Sequence, residues 1–275
     1  MKTRVISALV AAVLLIGALI VSVFVPEMLH LIVAVISGIA AYEIVSATGV
    51  GKVKLITVIC MVTAFVLPFT LLLPQMIVPT VYVFVLILFA IQLKTHQTIE
   101  MPNLLAAAAV TLAVPTSLMN LVHVRDMGGR AHGMFFIIML LLSAWSSDIG
   151  AYLVGVRWGK HKLCPKISPK KTIEGFFGGW IGCIVILELT AVGYAYVVAP
   201  GTRISWAAVG ITAALCSIIS VLGDLSFSLL KRHYGIKDYG KIMPGHGGML
   251  DRFDSVIFVA PIFALLTQYL PIIHA

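Results

Sequence analysis

The chain has 275 residues, of which 60% are hydrophobic and 11% charged, and its mean hydropathy is +1.08. Soluble domains are about 45–50% apolar and about 25% charged, so this composition excludes a soluble globular domain and predicts a polytopic membrane protein. The net charge of +8 does not indicate nucleic-acid binding, because the cations lie in short loops and form no separate basic domain.

Apolar runs of about 20 residues recur along the chain, and each is long enough to cross a bilayer as a helix. The first run has the basic start of a signal peptide, but it is longer than the usual apolar region and no A-x-A site follows, so we expect a retained transmembrane helix. We predict nine spans, at about 5–25, 29–48, 54–74, 76–93, 103–122, 133–155, 175–199, 204–230 and 253–273.

The predicted fold is an all-α transmembrane bundle that forms a single integral membrane domain over residues 1–275. We expect the N-terminal helices in 1–125 and the catalytic helices and cytoplasmic loops in 126–275. The four cysteines show neither CxxC pairs nor zinc spacing, and nothing in the pattern implies disulfides.

The distribution of Lys and Arg predicts how the chain is oriented in the membrane. With the N-terminus in the cytoplasm and the C-terminus outside, sixteen of the nineteen Lys and Arg residues fall in cytoplasmic segments, as the positive-inside rule requires. The two richest polar loops, at about 156–174 and 231–252, then lie on the same cytoplasmic face, where they could build one site.

The polar run from Lys231 to Asp254 is the first candidate for chemistry. It holds five of the nineteen basic residues and three of the eleven acidic ones, between two runs that are predicted to span the membrane. Carboxylates suit magnesium, which usually bridges to substrate phosphates, and Lys and Arg suit phosphate oxygens. The alternative is a solvated loop with a Gly-rich turn and capping Asp residues.

Helical spacing groups several of these polar side chains. Asp224, near the end of the eighth run, is followed at spacings of four, seven and eight by Ser228, Lys231 and Arg232, which puts all four on roughly one face. At the start of the ninth run, two carboxylates three residues apart share a face too. These are Asp251 and Asp254.

The segment SPKKTIEGFFGG, residues 168–179, is the second candidate. Lys170 and Lys171 precede a helix start near Thr172, and Glu174 falls in the first turn. Two cations beside a helix N-terminus can hold a triphosphate or an anionic lipid head. Positive-inside flanking with an ordinary helix cap is an equally good interpretation.

Ionisable residues inside the predicted spans are the third group of candidates. Asp148, which follows Ser146 and Ser147 in the sixth run, could help to hold a metal or a nucleotide, or be a buried carboxylate bound to Ser and to Tyr152. Two glutamates inside spans, Glu43 and Glu188, are weaker candidates. The one histidine inside the C-terminal motif, His246, could contact phosphate or act as an acid.

The C-terminal motif resembles the signature of the phosphatidate cytidylyltransferase (CDP-diacylglycerol synthase) family. Met243 stands where that pattern has Leu, Ile or Phe, and the segments DIGAY and SPKKTIEG also resemble the family. The resemblance covers the whole chain and is most specific over residues 145–255. The matching positions are Ser228, Lys231, Arg232, Lys237, Asp238, Gly240, Pro244, His246, Gly247, Gly248, Asp251, Arg252, Phe253 and Asp254.

The resemblance implies a bundle of transmembrane helices around a polar cavity, in which CTP and phosphatidic acid give CDP-diacylglycerol and pyrophosphate with Mg²⁺. It implies that Asp224 and Asp251 hold the metal. From the residues themselves we add Asp254 and Asp148 as supporting metal candidates, and we expect Asp224, Asp251 and His246 to be catalytic. The residues expected at the substrate phosphates are Lys170, Lys171, Ser228, Lys231, Arg232, Lys237, Gly247, Gly248 and Arg252.

Other membrane-protein classes were weighed against this family. A CTP-dependent polyprenol kinase or an archaeal-type lipid cytidylyltransferase could share the general layout. The close match of the C-terminal motif to the phosphatidate cytidylyltransferase signature argues against both. The motif of CDP-alcohol phosphotransferases is not found, and no repeat supports a transporter. We expect the inner (plasma) membrane of a bacterium, with the site facing the cytoplasm, and leave a homodimer open.

Overall fold

The computed structural model describes residues 2–242 and 247–274, without the side chains of residues 2–8, 11 and 130. The secondary structure is overwhelmingly α-helical, as the apolar runs predict. The helices are α1 (Lys2–Phe24), α2 (Glu27–Ala47), α3 (Lys54–Val66), α4 (Ile77–Thr95), α5 (Met101–Trp158), α6 (Ile173–Gly193), α7 (Trp206–His233) and α8 (Leu250–Tyr269).

Within the described residues, seven helical segments are long and apolar enough to cross a membrane. This confirms an all-α polytopic membrane protein. The first and last of the nine predicted spans are not among the seven, so the number of spans and the sides of the termini stay predictions. The seven segments are Glu27–Ala47, Lys54–Leu72, Pro74–Thr95, Met101–Gly129, Ala131–Trp158, Ile173–Val198 and Trp206–His233.

Helix α5 contains two of these segments, separated at Gly129. This residue has φ 57° and ψ −162°, a conformation that is essentially restricted to glycine. The sequence predicted separate spans at 103–122 and 133–155 with a polar loop between them. The structure instead continues the helix to this glycine and then turns, so the connection is a sharp kink.

Two short antiparallel strand pairs join the helices, and the sequence pattern did not predict them. Strand β1 (Lys162–Cys164) pairs with β2 (Ser168–Thr172), and β3 (Arg203–Ile204) pairs with β4 (Ile273–His274). Strand β2 ends at Thr172, whose side chain accepts a hydrogen bond from the N–H of Gly175 at 3.1 Å. The predicted helix start near Thr172 is therefore confirmed, and β2 places Lys170 and Lys171 directly before it.

The chain forms two compact units. The first consists of Met1–Val122 and His233–Phe253, and the second of His123–Arg232 and Asp254–Ala275. Asp251 therefore belongs to the first unit, whereas Asp224 and Asp254 belong to the second. The core of the first unit is a cluster of apolar side chains from α2 to the start of α5, which includes Ala41, Val45, Ile56, Cys60, Ala64, Phe84, Leu88, Leu104 and Ala107.

In the second unit, the part of α5 that follows Gly129 packs closely on α6 through glycines. A Cβ added to Gly150 would lie 2.8 Å from the carbonyl oxygen of Gly178, and one added to Gly179 would lie 2.5 Å from that of Ser147. Such small-residue contacts let transmembrane helices approach backbone to backbone. The approach fixes α6, and with it the segment that carries Lys170 and Lys171.

Replacing Gly179 with alanine should therefore destabilise the second unit. Gly179→Ala should cost about 1–3 kcal/mol, because the new methyl group can be accommodated only if the two helices move apart. A lower midpoint of thermal unfolding in detergent would show this. Gly193→Ala is the matched control on the same helix, since a Cβ there has nothing within 4 Å; equal midpoints for the two variants would contradict the packing argument.

Candidate active site

Asp224, on α7, lies where three polar side chains of the second unit meet. Its carboxylate forms an ion pair with the ammonium group of Lys171, which is carried by β2. One helical turn further along α7, the Ser228 hydroxyl donates a 3.4 Å hydrogen bond to Asp224 Oδ1. The spacing of four that predicted a shared face for Asp224 and Ser228 is thus confirmed.

Asp254 links Asp224 to a third carboxylate, that of Asp148. The carboxyl group of Asp254, on α8, interacts electrostatically with those of Asp224 and Asp148 and with the ammonium group of Lys231. Asp254 and Lys231 are both buried, so water screens these interactions poorly. We call Asp148, Asp224, Asp254, Lys171 and Lys231 the carboxylate cluster.

Asp148 is held by a partner that lies far away in the sequence. The Ser255 hydroxyl, at the start of α8, donates a 3.1 Å hydrogen bond to Asp148 Oδ2. The sequence offered the nearby Ser and Tyr residues as partners, but the Ser147 hydroxyl is 2.8 Å from that of Ser217 and Tyr152 is 69% exposed. Asp148 is therefore tied to α8 beside Asp254.

Asp251, in the first unit, binds the backbone of the segment between α7 and α8, which we call the C-terminal loop and of which residues 234–242 and 247–249 are described. Its Oδ2 accepts hydrogen bonds from the N–H groups of Tyr239, at 2.8 Å, and Gly248, at 2.9 Å. Gly247 has φ +86°, and a Cβ there would lie 2.9 Å from the same oxygen. Glycine is needed at 247 both for its conformation and for the approach of the carboxylate.

The remaining predicted phosphate ligands lie at the surface of their units. Lys170, Lys237 and Arg252 are exposed, and the Arg232 guanidinium donates a 3.4 Å hydrogen bond through Nε to the carbonyl oxygen of Ile167. Their contacts with substrate stay predictions. His246 lies outside the described residues, as do Met243, Pro244 and Gly245.

Glu43 is the residue that the sequence underestimated. It is 1% exposed, and its two carboxylate oxygens accept 2.8 Å hydrogen bonds from the N–H groups of Met249 and Leu250. A lone glutamate in an apolar run was its only signal. Its partners are backbone groups 206 and 207 residues away, which leave no mark in the sequence.

The donor set of the carboxylate cluster fits magnesium. Mg²⁺ is usually bound through one or two carboxylates together with substrate phosphates and water. Within residues 2–242 and 247–274, no group of three or more His, Cys, Asp or Glu side chains is placed to hold a metal ion, so magnesium binding stays a prediction. The repulsion of Asp254 by Asp224 and by Asp148 would favour a bound cation.

The fold and this site define an integral membrane protein whose second unit brings carboxylates and ammonium groups together. Comparison with known families gives the narrower assignment. Residues 2–270 match the Cytidylyltransferase family, and the chain belongs to this family.

Several curated bacterial proteins are similar to part of the chain. The phosphatidate cytidylyltransferases of Staphylococcus aureus (strain COL), Staphylococcus haemolyticus and Staphylococcus saprophyticus are 48%, 47% and 44% identical to it over 137 residues. Each alignment covers 50% of this chain and 50% of the relative. The match thus spans about half the length of these relatives.

Proposed function

We propose that this chain is an enzyme that transfers the cytidylyl group of CTP to phosphatidic acid, giving CDP-diacylglycerol and pyrophosphate. The observation that carries the proposal is the carboxylate cluster, in which Asp224 lies beside the ammonium group of Lys171. Family membership and the similarity to staphylococcal phosphatidate cytidylyltransferases support the same activity.

The reaction needs no covalent nucleophile from the protein. A phosphate oxygen of phosphatidic acid attacks the α-phosphorus of CTP, the new P–O bond forms, and the bond between the α- and β-phosphates breaks. Pyrophosphate leaves with the electron pair of that bond. Both reactants are anionic, so catalysis requires positive charge that offsets their repulsion and stabilises the charge that develops in the transition state.

Residues of the chain would supply that charge and hold the reactants. Lys171 would release Asp224 and turn to the nucleotide phosphates, and Lys231 would approach them from α7. Asp224 and Asp251, with Asp254 and Asp148 in support, would hold Mg²⁺, which when bound would supply positive charge to the substrate phosphates. The other proposed phosphate ligands are Lys170, Ser228, Arg232, Lys237, His246, Gly247, Gly248 and Arg252.

The proposed location is the plasma membrane of a bacterium, with the site facing the cytoplasm. CTP is soluble and phosphatidic acid is a lipid, so the inner membrane surface is where the two can meet. The bias of Lys and Arg toward one set of loops supports this orientation through the positive-inside rule. A homodimer remains a prediction.

The proposal is tested by incubating the purified protein in mixed micelles with CTP, Mg²⁺ and one lipid acceptor at a time. We expect CDP-diacylglycerol, identified by mass spectrometry, with phosphatidic acid and not with diacylglycerol or a polyprenol. Replacing CTP with ATP or GTP should abolish product. A phosphorylated polyprenol as the only product would instead indicate a CTP-dependent kinase, and movement of a solute across proteoliposomes without lipid product would indicate a transporter.

A further inference from the structure

Glu43 fills a position that a helix start leaves open. The first N–H groups of a helix have no partner within the helix, and a negative charge there interacts favourably with the helix dipole. Glu43, reaching from α2, accepts from the N–H groups of Met249 and Leu250, where α8 begins. It therefore joins an N-terminal helix to the end of the C-terminal loop.

Asp251 binds the same stretch of backbone from within α8. Between them, Glu43 and Asp251 accept four backbone hydrogen bonds of 2.8–2.9 Å. We call these two carboxylates and the N–H groups of Tyr239, Gly248, Met249 and Leu250 the loop latch. Charge-assisted hydrogen bonds of this kind are shorter and stronger than neutral ones, so the latch holds the C-terminal loop at Tyr239 and at residues 248–250.

Two glycines make room for the Glu43 carboxylate. A Cβ added to Gly240 or to Gly248 would overlap Glu43 Oε1. The backbone of the loop thus touches the carboxylate directly at positions 240 and 248 and bonds to it at 249 and 250. All of these contacts are to the segment that carries Asp251, which is the proposed metal ligand of this unit.

We infer that Glu43 is a positioning residue, which holds the backbone at Gly240 and at residues 248–250 and thereby aims Asp251 for metal and phosphate binding. The effect of Glu43 on catalysis rests on the proposed function, whereas the hydrogen bonds of the loop latch are independent of that function. The Glu43 carboxylate is bound to backbone at the start of α8, so it acts on the reaction through the loop. Loss of the carboxylate should loosen the loop and weaken the use of Mg²⁺ before it unfolds the protein.

The first test measures the latch without any reaction. Glu43→Gln keeps the size of the side chain, but its amide nitrogen is a donor and cannot accept from a second N–H. Hydrogen–deuterium exchange in detergent should be about tenfold faster for the Met249 and Leu250 amides, with α2 unchanged. Glu188→Gln is the matched control, a glutamate within α6 whose change should leave the loop unaltered. Unchanged exchange in Glu43→Gln would overturn the latch.

The second test separates positioning from general stability. Glu43→Gln should raise the Mg²⁺ concentration for half-maximal activity about fivefold or more, with the KM for phosphatidic acid unchanged. Gly240→Ala, which pushes on the same carboxylate, should reproduce both effects, so the inference stays testable if Glu43→Gln does not fold; Gly193→Ala is its control. A lower kcat with an unchanged Mg²⁺ concentration for half-maximal activity would overturn the positioning role and show that Glu43 is only structural. A wild-type protein without cytidylyl transfer would reject the proposed function and leave the exchange result standing.

Discussion

Asp224→Asn is expected to lower the rate of CDP-diacylglycerol formation by about 1,000-fold or more. Asparagine preserves the size of the side chain but removes the charge that attracts the metal ion and pairs with Lys171. The rate should be measured over a wide range of Mg²⁺ concentration, because weakened metal binding alone would be overcome at high Mg²⁺. We expect only partial recovery, since Lys171 also loses the partner that holds it in the site before substrate binds.

The thermal unfolding midpoint of Asp224→Asn should stay close to that of the wild type, because Asp224 is partly exposed and its hydrogen bond to Ser228 can be kept by the asparagine oxygen. Asp126→Asn is the control, an acidic residue paired with Arg125 outside the proposed site, and should retain full activity. Full activity in Asp224→Asn would refute the metal assignment.

Asp251→Asn should abolish activity as well, but with a different physical signature. Asp251 accepts hydrogen bonds from two backbone N–H groups through one oxygen, and loss of charge weakens both. We therefore expect a lower unfolding midpoint than for Asp224→Asn and faster amide exchange at Tyr239 and Gly248. Equal midpoints for the two variants would argue against the latch.

Lys171→Met is the second change with a large expected effect, a fall of about 100-fold in kcat/KM for CTP. Methionine keeps much of the apolar stem and removes the ammonium group, so charge-assisted contacts to phosphate are lost and Asp224 is left without its ion-pair partner. Initial rates at varied CTP, with phosphatidic acid and Mg²⁺ saturating, give the ratio directly.

Lys170, the neighbouring lysine, is the control for Lys171→Met. Lys170 is exposed, whereas Lys171 is partly buried against Asp224, so Lys170→Met should cost no more than about tenfold. Lys162→Met, on the exposed start of β1, should leave activity unchanged. Equal losses at positions 170 and 171 would show that the two cations act only as a general basic surface.

Hydrophobic pattern and helical spacing made much of the fold predictable. Long apolar runs have few alternatives to helix in a membrane, and the pair Thr172 and Glu174 marked the start of α6 correctly. The β1–β2 pair was missed because its Lys- and Pro-containing strands show no alternation of apolar and polar residues. The kink at Gly129 was not predicted, because the hydropathy pattern carries no information about the backbone conformation of a single glycine.

Within the candidate site, helical spacing predicted the contact between near neighbours in the sequence, but the sequence did not predict contacts between distant residues. The Ser228–Asp224 hydrogen bond follows from a separation of four on one helix. The Asp148–Ser255 hydrogen bond joins residues 107 positions apart, and Glu43 binds backbone groups that any residue type would offer. A stronger weight on charged residues inside apolar runs, together with the glycines at 240 and 248, could have pointed to Glu43.

Following the phosphorus atoms of CTP is the most direct test of cytidylyl transfer by this protein. Parallel reactions with [α-³²P]CTP and [γ-³²P]CTP, each with phosphatidic acid in liposomes, should put the α label in the lipid extract and the γ label in pyrophosphate in equal amounts, and only when Mg²⁺ is added. Transfer of the γ label to lipid, or transfer of the α label that is indifferent to Mg²⁺ and to the loss of Asp224, would contradict the proposed mechanism.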